Sequence, residues 1–157
     1  MATRTNIESF YRDHGEAVYA FLVSLTRNPA RAEDLMQDTF IKATRSLAGY
    51  RGGSPRAWLF AIARSVFIDD VRRTRETPTV EVNTGGGPDD DLSERDAINR
   101  ALAALPERQR SALLLSDHLG MSTTEVGDAL AISPGAARVL IHRARLGFRT
   151  AYQKDQL

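Results

Sequence analysis

The chain has no cysteine among its 157 residues. Disulfides and thiolate metal sites are therefore excluded, and the composition fits a reducing compartment. No run of about 18 apolar residues occurs, so a membrane span is not expected. The opening stretch MATRTNIESFYRD lacks the apolar centre of a secretory signal. The expected location is cytoplasmic. The vocabulary of catalysis is also missing: no Gly-rich phosphate loop, no HExxH and no Cys nucleophile. Asp69-Asp70 is the one tempting metal pair, but neighbours on a helix do not face the same way. No enzyme, no metal and no cofactor is expected. Charge of one sign is lacking too. The formal net charge is only +1, so the molecule as a whole is not a basic nucleic-acid glue.

What is present is typical of a soluble globular chain: 42% hydrophobic and 26% charged residues, with length for one ordinary domain or two small ones. The charge is unevenly placed. Residues 1–76 carry 12 Lys/Arg against 9 Asp/Glu, residues 77–92 none against 4, and residues 93–157 9 against 7. Two mildly basic blocks thus flank an acidic spacer, TPTVEVNTGGGPDDDL. Three consecutive glycines, two prolines and four acids predict a flexible, self-repelling linker. The fold class expected is all-α: two small helical domains, 1–76 and 93–157, joined by the acidic Gly/Pro linker 77–92.

The densest signal is residues 54–75, SPRAWLFAIARSVFIDDVRRTR. Ser54 suits a helix cap and Pro55 the first helical position. Its first half is apolar on more than one face, as for a helix surrounded by others. Its tail is basic, with Arg72, Arg73 and Arg75. Before it, apolar residues at three- and four-residue spacing predict a helix over 6–28, with a break expected at His14-Gly15. Asn28-Pro29 caps a second helix, about 29–47, with Ala32, Leu35, Met36, Thr39, Phe40, Ala43 and Leu47 in one stripe. Asp34, Gln37, Asp38 and Ile41 lie away from that stripe. Ile41, apolar among charges, hints at a partner surface.

After the linker, a helix over 93–105 is expected to turn Ile98, Ala101, Leu102 and Leu105 inward. Pro106 opens the next, about 106–119, and Gly120 ends it. Ser122-Thr-Thr-Glu125 has the capping-box pattern and starts a short helix to about 130. Ser133-Pro134 starts the last, about 134–152. Short helix, tight turn and second helix make a helix-turn-helix. Arg138, His142, Arg145 and Arg149 are spaced 4, 3 and 4 on one face, and Ala137, Ile141, Ala144, Phe148 and Ala151 line another. One face is built to pack and one to meet negative charge. Within the second helix only Arg138 offers a bidentate guanine contact, while Val139 or Ala136 suits a thymine methyl.

These residues together resemble the extracytoplasmic-function (ECF) RNA polymerase sigma factors. LPERQRSALLLSDHLGMSTTEVGDALAISPGAARVLIHRAR, 105–145, resembles their −35-binding domain. ARAEDLMQDTFIKA, 30–43, resembles the helix that binds the polymerase clamp, and PRAWLFAIARSVFIDDVRR, 55–73, the segment that opens and reads the −10 element. The resemblance implies a non-catalytic subunit that binds core RNA polymerase at its clamp and flap, recognises −10 and −35 elements and melts promoter DNA. It places Asp34, Gln37, Asp38 and Ile41 on the clamp surface. Along the −10 strand it places Tyr50, Arg51, Arg56, Trp58, Arg64, Ser65, Arg72 and Arg73. At the −35 element it places Ser122, Ser133, Gly135, Arg138, Val139, His142, Arg143 and Arg145. Implied partners are core polymerase, double- and single-stranded promoter DNA and an anti-sigma factor, with the free chain a monomer that joins the nucleoid in holoenzyme. Two departures stand out. Ser65 occupies a position where the family commonly has Asn, and GAARVLIHRAR replaces a usual GTVKSRLHRAR, losing one basic residue at Leu140. Two other readings fit parts of the pattern, a plain helix-turn-helix regulator and a sigma-like decoy for an anti-sigma factor. A lone Trp58 also suits a core position.

Overall fold

The computed structural model describes residues 2–50, 52–76 and 93–157. It is all-α over these residues, with seven α-helices in two compact units, Met1–Val82 and Asn83–Leu157. The predicted linker 77–92 and the candidate Arg51 lie outside the described residues.

The first unit holds α1 (Ala2–Thr26), α2 (Pro29–Ser46) and α3 (Pro55–Glu76), with a 3-10 turn at Leu47–Gly49. Each helix packs on the other two. Helix α1 contributes Val18, Phe21, Leu22 and Leu25 to the core, α2 contributes Ala32, Leu35, Phe40 and Ala43, and α3 contributes Ala57, Leu59, Phe60, Ala63, Val66 and Phe67. Phe21 and Phe60 meet edge to face, with centroids 5.3 Å apart, the arrangement the ring quadrupoles favour. The break expected at His14-Gly15 does not occur: α1 runs through it. Gly15 is buried, and the Tyr11 ring lies 3.8 Å from where its Cβ would be. A Cβ there would make only ordinary contact with that ring, so the site does not require glycine, and burial outweighs its weak helix propensity.

Helix α1 ends at Arg27, which takes a left-handed φ of 56°, and the Arg31 amide then donates to the Asn28 side chain at 3.2 Å. Pro29 follows in the first turn, where its missing N–H costs nothing. Before α3, Gly52 and Gly53 have φ of 92° and 85°, a turn that residues with a Cβ resist. The Tyr50 hydroxyl donates to the Gly53 carbonyl at 2.9 Å, closing this turn, and Ser54 accepts from the Ala57 amide at 3.2 Å as the cap of α3.

The second unit holds α4 (Ser93–Ala103), α5 (Glu107–Leu113), a π-helical turn (Leu114–His118), α6 (Thr123–Leu130) and α7 (Pro134–Asp155). Helix α7 packs against α4, α5 and α6. The long helix expected over 106–119 instead loosens into the π turn after Leu113. Ile98, expected inward, is 39% exposed, and Ala97 fills the core beside Ala101 and Leu102. Arg100 on α4 holds Asp155 at the far end of α7 through bonds of 3.0 and 2.7 Å. That pair raises the Arg100 pKa and lowers that of Asp155, first through the hydrogen bond itself.

Candidate nucleic-acid and partner interfaces

The outer face of α2 is built by its buried stripe. With Ala32, Leu35, Thr39, Phe40 and Ala43 inward, the 3.6-residue period turns Asp34, Gln37, Asp38 and Ile41 to solvent. All four are exposed, Ile41 at 51%. The sequence did not reveal what adjoins this face. A groove of about 480 Å³ is lined by Asp38, Ile41, Lys42 and Arg45 of α2 and by Val66, Asp69, Arg72 and Arg73 of α3. Two of the four candidate clamp residues, Asp38 and Ile41, therefore share one groove with the basic tail of α3, and Asp34 and Gln37 lie outside it.

Asp69 and Asp70 organise that tail. Asp70 accepts from Arg31 of α2, and Arg31 also donates to the Thr74 hydroxyl. Arg73 lies 3.9 Å from Asp70, and Arg72 and Lys42 lie 3.9 and 3.6 Å from Asp69. These acids tie α2 to α3. Among the described residues no group of His, Cys, Asp or Glu is arranged to hold a metal ion. The side chains of Arg72 and Arg73 remain about two-thirds exposed, so pairs this long and wet leave them able to meet another anion.

At the other end of α3 the structure assembles an aromatic cluster. Tyr50 and Trp58 have ring centroids 5.0 Å apart, and Phe10 of α1 stands edge-on to both, at 6.3 and 5.7 Å. His14 meets Phe10 at 6.2 Å. Trp58 is half-buried. Trp58, Ser65 and Arg72 are seven residues apart, so they follow one face of α3 from aromatic cluster to basic tail. Ser65 is exposed, while Arg56 and Arg64 are half-buried. Phe10 was missed from the sequence because its helical period marks it only as core.

The helix-turn-helix is fixed by three local devices. Ser122 accepts from the Glu125 amide at 3.1 Å while Glu125 accepts from the Ser122 amide at 3.0 Å, a complete capping box. Ala131 takes a left-handed φ of 59° at the turn. Ser133 accepts from the Ala136 amide at 3.1 Å and starts α7. Ser122 and Ser133 are thus caps first, each with a hydroxyl proton left to donate. The turn also presses on α6: a Cβ on Gly127 would stand 2.7 Å from the Ile132 carbonyl oxygen.

Helix α7 divides its faces as the spacing predicts. Ala137, Ile141 and Ala144 are buried, and Phe148 and Ala151 are half-buried. Gly135, Arg138, Val139, His142, Arg143, Arg145 and Arg149 are exposed. Arg145 differs from the rest. Asp117, in the π turn, accepts from its Nε at 2.9 Å and from its Nη2 at 2.6 Å. This bond holds the Asp117 carboxyl below the usual range and raises the Arg145 pKa. Helical periodicity alone does not point to Asp117, because the extra residue of the π turn shifts the helical phase by about 100°.

Two family models match the chain, sigma-70 region 2 over residues 10–77 and sigma-70 region 4 over 95–146. RNA polymerase sigma factor YlaC of Bacillus subtilis is 30% identical, over 99% of this chain and 97% of its own. ECF RNA polymerase sigma factor EcfG of Rhodopseudomonas palustris is 33% identical, over 80% and 74%. The sigma factor RpoE of Bartonella quintana, solved in complex with the anti-sigma factor NepR, superposes with a TM-score of 0.77 at 26% identity, covering 93% of this chain and 98% of that one. No helix among the described residues is long and apolar enough to cross a membrane.

Proposed function

This chain belongs to the ECF RNA polymerase sigma factors, and from that membership we propose an initiation subunit that divides promoter recognition among its three exposed surfaces. Asp34, Gln37, Asp38 and Ile41 dock α2 on the clamp of core RNA polymerase, Ile41 supplying the apolar centre and the acids the register. The same docking brings the α3 tail, across the shared groove, to the DNA that polymerase holds. Arg72 and Arg73 then track the phosphates of the displaced −10 strand. The Tyr50–Trp58 pair offers a stacking platform for its bases, where each stack contributes about 1–3 kcal/mol. A flipped base enters beside the turn closed by Tyr50 and Gly53, at a cost of a few kcal/mol of unstacking. Arg51, Arg56 and Arg64 add charge along this path. Ser65 reads the base with a short hydroxyl in place of an amide, which relaxes the −10 preference.

Helix α7 enters the major groove at the −35 element. Arg138, Val139 and His142 reach base edges, while Arg143, the Gly135 end of the helix and the hydroxyls of Ser122 and Ser133 meet phosphates. Direct readout is thin in donors, so DNA shape carries part of the specificity. The second unit also meets the polymerase flap. An anti-sigma factor of the general kind seen with the Bartonella quintana relative is the regulatory partner, and the free chain is a monomer.

The observation that carries this reading is the shared groove of the α2 face and the α3 tail. A plain helix-turn-helix regulator uses α6 and α7 alone and has no use for it. The decisive experiment is run-off transcription on fragmented genomic DNA with the purified chain and core polymerase. Discrete promoter-specific transcripts are expected. DNA binding without affinity for polymerase would reduce the chain to a simple regulator.

A further inference from the structure

The Asp117–Arg145 pair stands where the basic face of α7 needs explanation. Arg145 lies three residues after His142 and four before Arg149, on the stripe that the sequence assigns to DNA. Its guanidinium is already engaged edge-on by a carboxylate, in the two-bond geometry that a phosphate would otherwise take. The Ser116 hydroxyl donates to the same carboxylate at 3.1 Å and helps to aim it. The two side chains are 40% and 52% exposed, so the pair sits at the surface and not in the core. Arg138, Arg143 and Arg149 on α7 have no ion pair among the described residues.

We propose that Asp117 is a positioning residue that withholds Arg145 from the DNA backbone and so sets how strongly α7 grips any duplex, whatever its sequence. The inference rests on the reading that the second unit binds DNA. Non-specific affinity comes from cations that displace counterions from phosphates, each changing the slope of log K against log salt by about 0.9. A guanidinium neutralised inside the protein adds nothing to that slope. Specificity is the ratio of specific to non-specific affinity. Holding back one sequence-independent contact lowers specific and non-specific affinity alike, so it sets the overall grip and leaves discrimination between sequences to residues such as Arg138.

The test uses the full chain and a random-sequence duplex, with binding followed by anisotropy across a salt series. Asp117→Asn is expected to bind more tightly and with a slope steeper by about 0.9. Asp117→Asn with Arg145→Gln is expected to return to the wild-type slope. Asp128→Asn, which removes an exposed acid of the same unit, controls for the loss of one negative charge and is expected to leave the slope unchanged. Circular dichroism reports folding of each variant. An unchanged slope in Asp117→Asn overturns the proposal, because Arg145 then already exchanges its carboxylate for a phosphate. Weaker binding by that variant also overturns it and makes the pair a strut that orients α7. A wild-type chain that binds no duplex at all fails earlier and separately, at the reading of the second unit.

Discussion

At the residue scale, local chemistry decides more than periodicity does. Ala131 is the plainest case. A left-handed backbone costs a residue with a Cβ about 1 kcal/mol or more relative to glycine, yet the turn before α7 requires it. Ala131→Gly is expected to stabilise the second unit by about 1 kcal/mol. The check is a urea melt by circular dichroism, with Trp58 fluorescence unmoved because Trp58 lies in the first unit. Gly127 is the converse: Gly127→Ala pushes a Cβ into the Ile132 carbonyl, and the turn must shift. The expected cost is about 1–3 kcal/mol with weakened duplex binding, read by the same melt and by anisotropy. Asp117 makes a pH prediction. Its folded pKa is lowered by Arg145, so its stabilisation is complete above the unfolded carboxylate value of about 3.9 and fades as pH falls through the folded value. Asp117→Asn is therefore expected to melt lower than wild type between neutral pH and about pH 5. The gap closes in stronger acid, as thermal melts across pH would show.

At the element scale, α3 carries two tasks along one length. Its first half is held by Phe60, Leu59 and Ala63 in the core, while its tail is tied through Asp70 to Arg31 and keeps its arginines at the surface. Helix α2 divides its tasks around its circumference, core inside and candidate docking face outside. Because that division is angular, its outer face can be changed without touching the core. Asp34→Lys is expected to weaken binding to core polymerase by about tenfold or more, comparable to a lost interface ion pair, while duplex binding by the full chain stays as it was. Pull-down with core polymerase and anisotropy on one preparation check both halves. Simultaneous loss of the two would contradict the separation of surfaces proposed above.

At the scale of the whole molecule, two compact units each have their own core, drawn from residues within that unit. Stability is then a property of each unit, and the melts predicted for Ala131, Gly127 and Asp117 variants report the transition of the second unit. The same partition suits the proposed engagement of two DNA elements and a large enzyme, since each surface is carried by its own small scaffold.

The sequence by itself determined the features that are local in the chain. The caps at Asn28, Ser54, Ser122 and Ser133 are contacts between residues three apart. The faces of α2 and α7 follow from a period of 3.6, and the family follows from motifs in their order. The tertiary structure decided whatever depends on neighbours distant in the chain or on a change of helical phase. His14-Gly15 reads as a break until Gly15 is seen buried within a continuous helix, and Ile98 reads as core until Ala97 is seen to take that place. The clustering of Phe10 with Tyr50 and Trp58, the groove that joins α2 to the tail of α3, and the meeting of Asp117 with Arg145 through a π turn have no signature in any short window. A side chain's partner across 28 or 39 residues is set by packing, and packing is a property of the assembled unit.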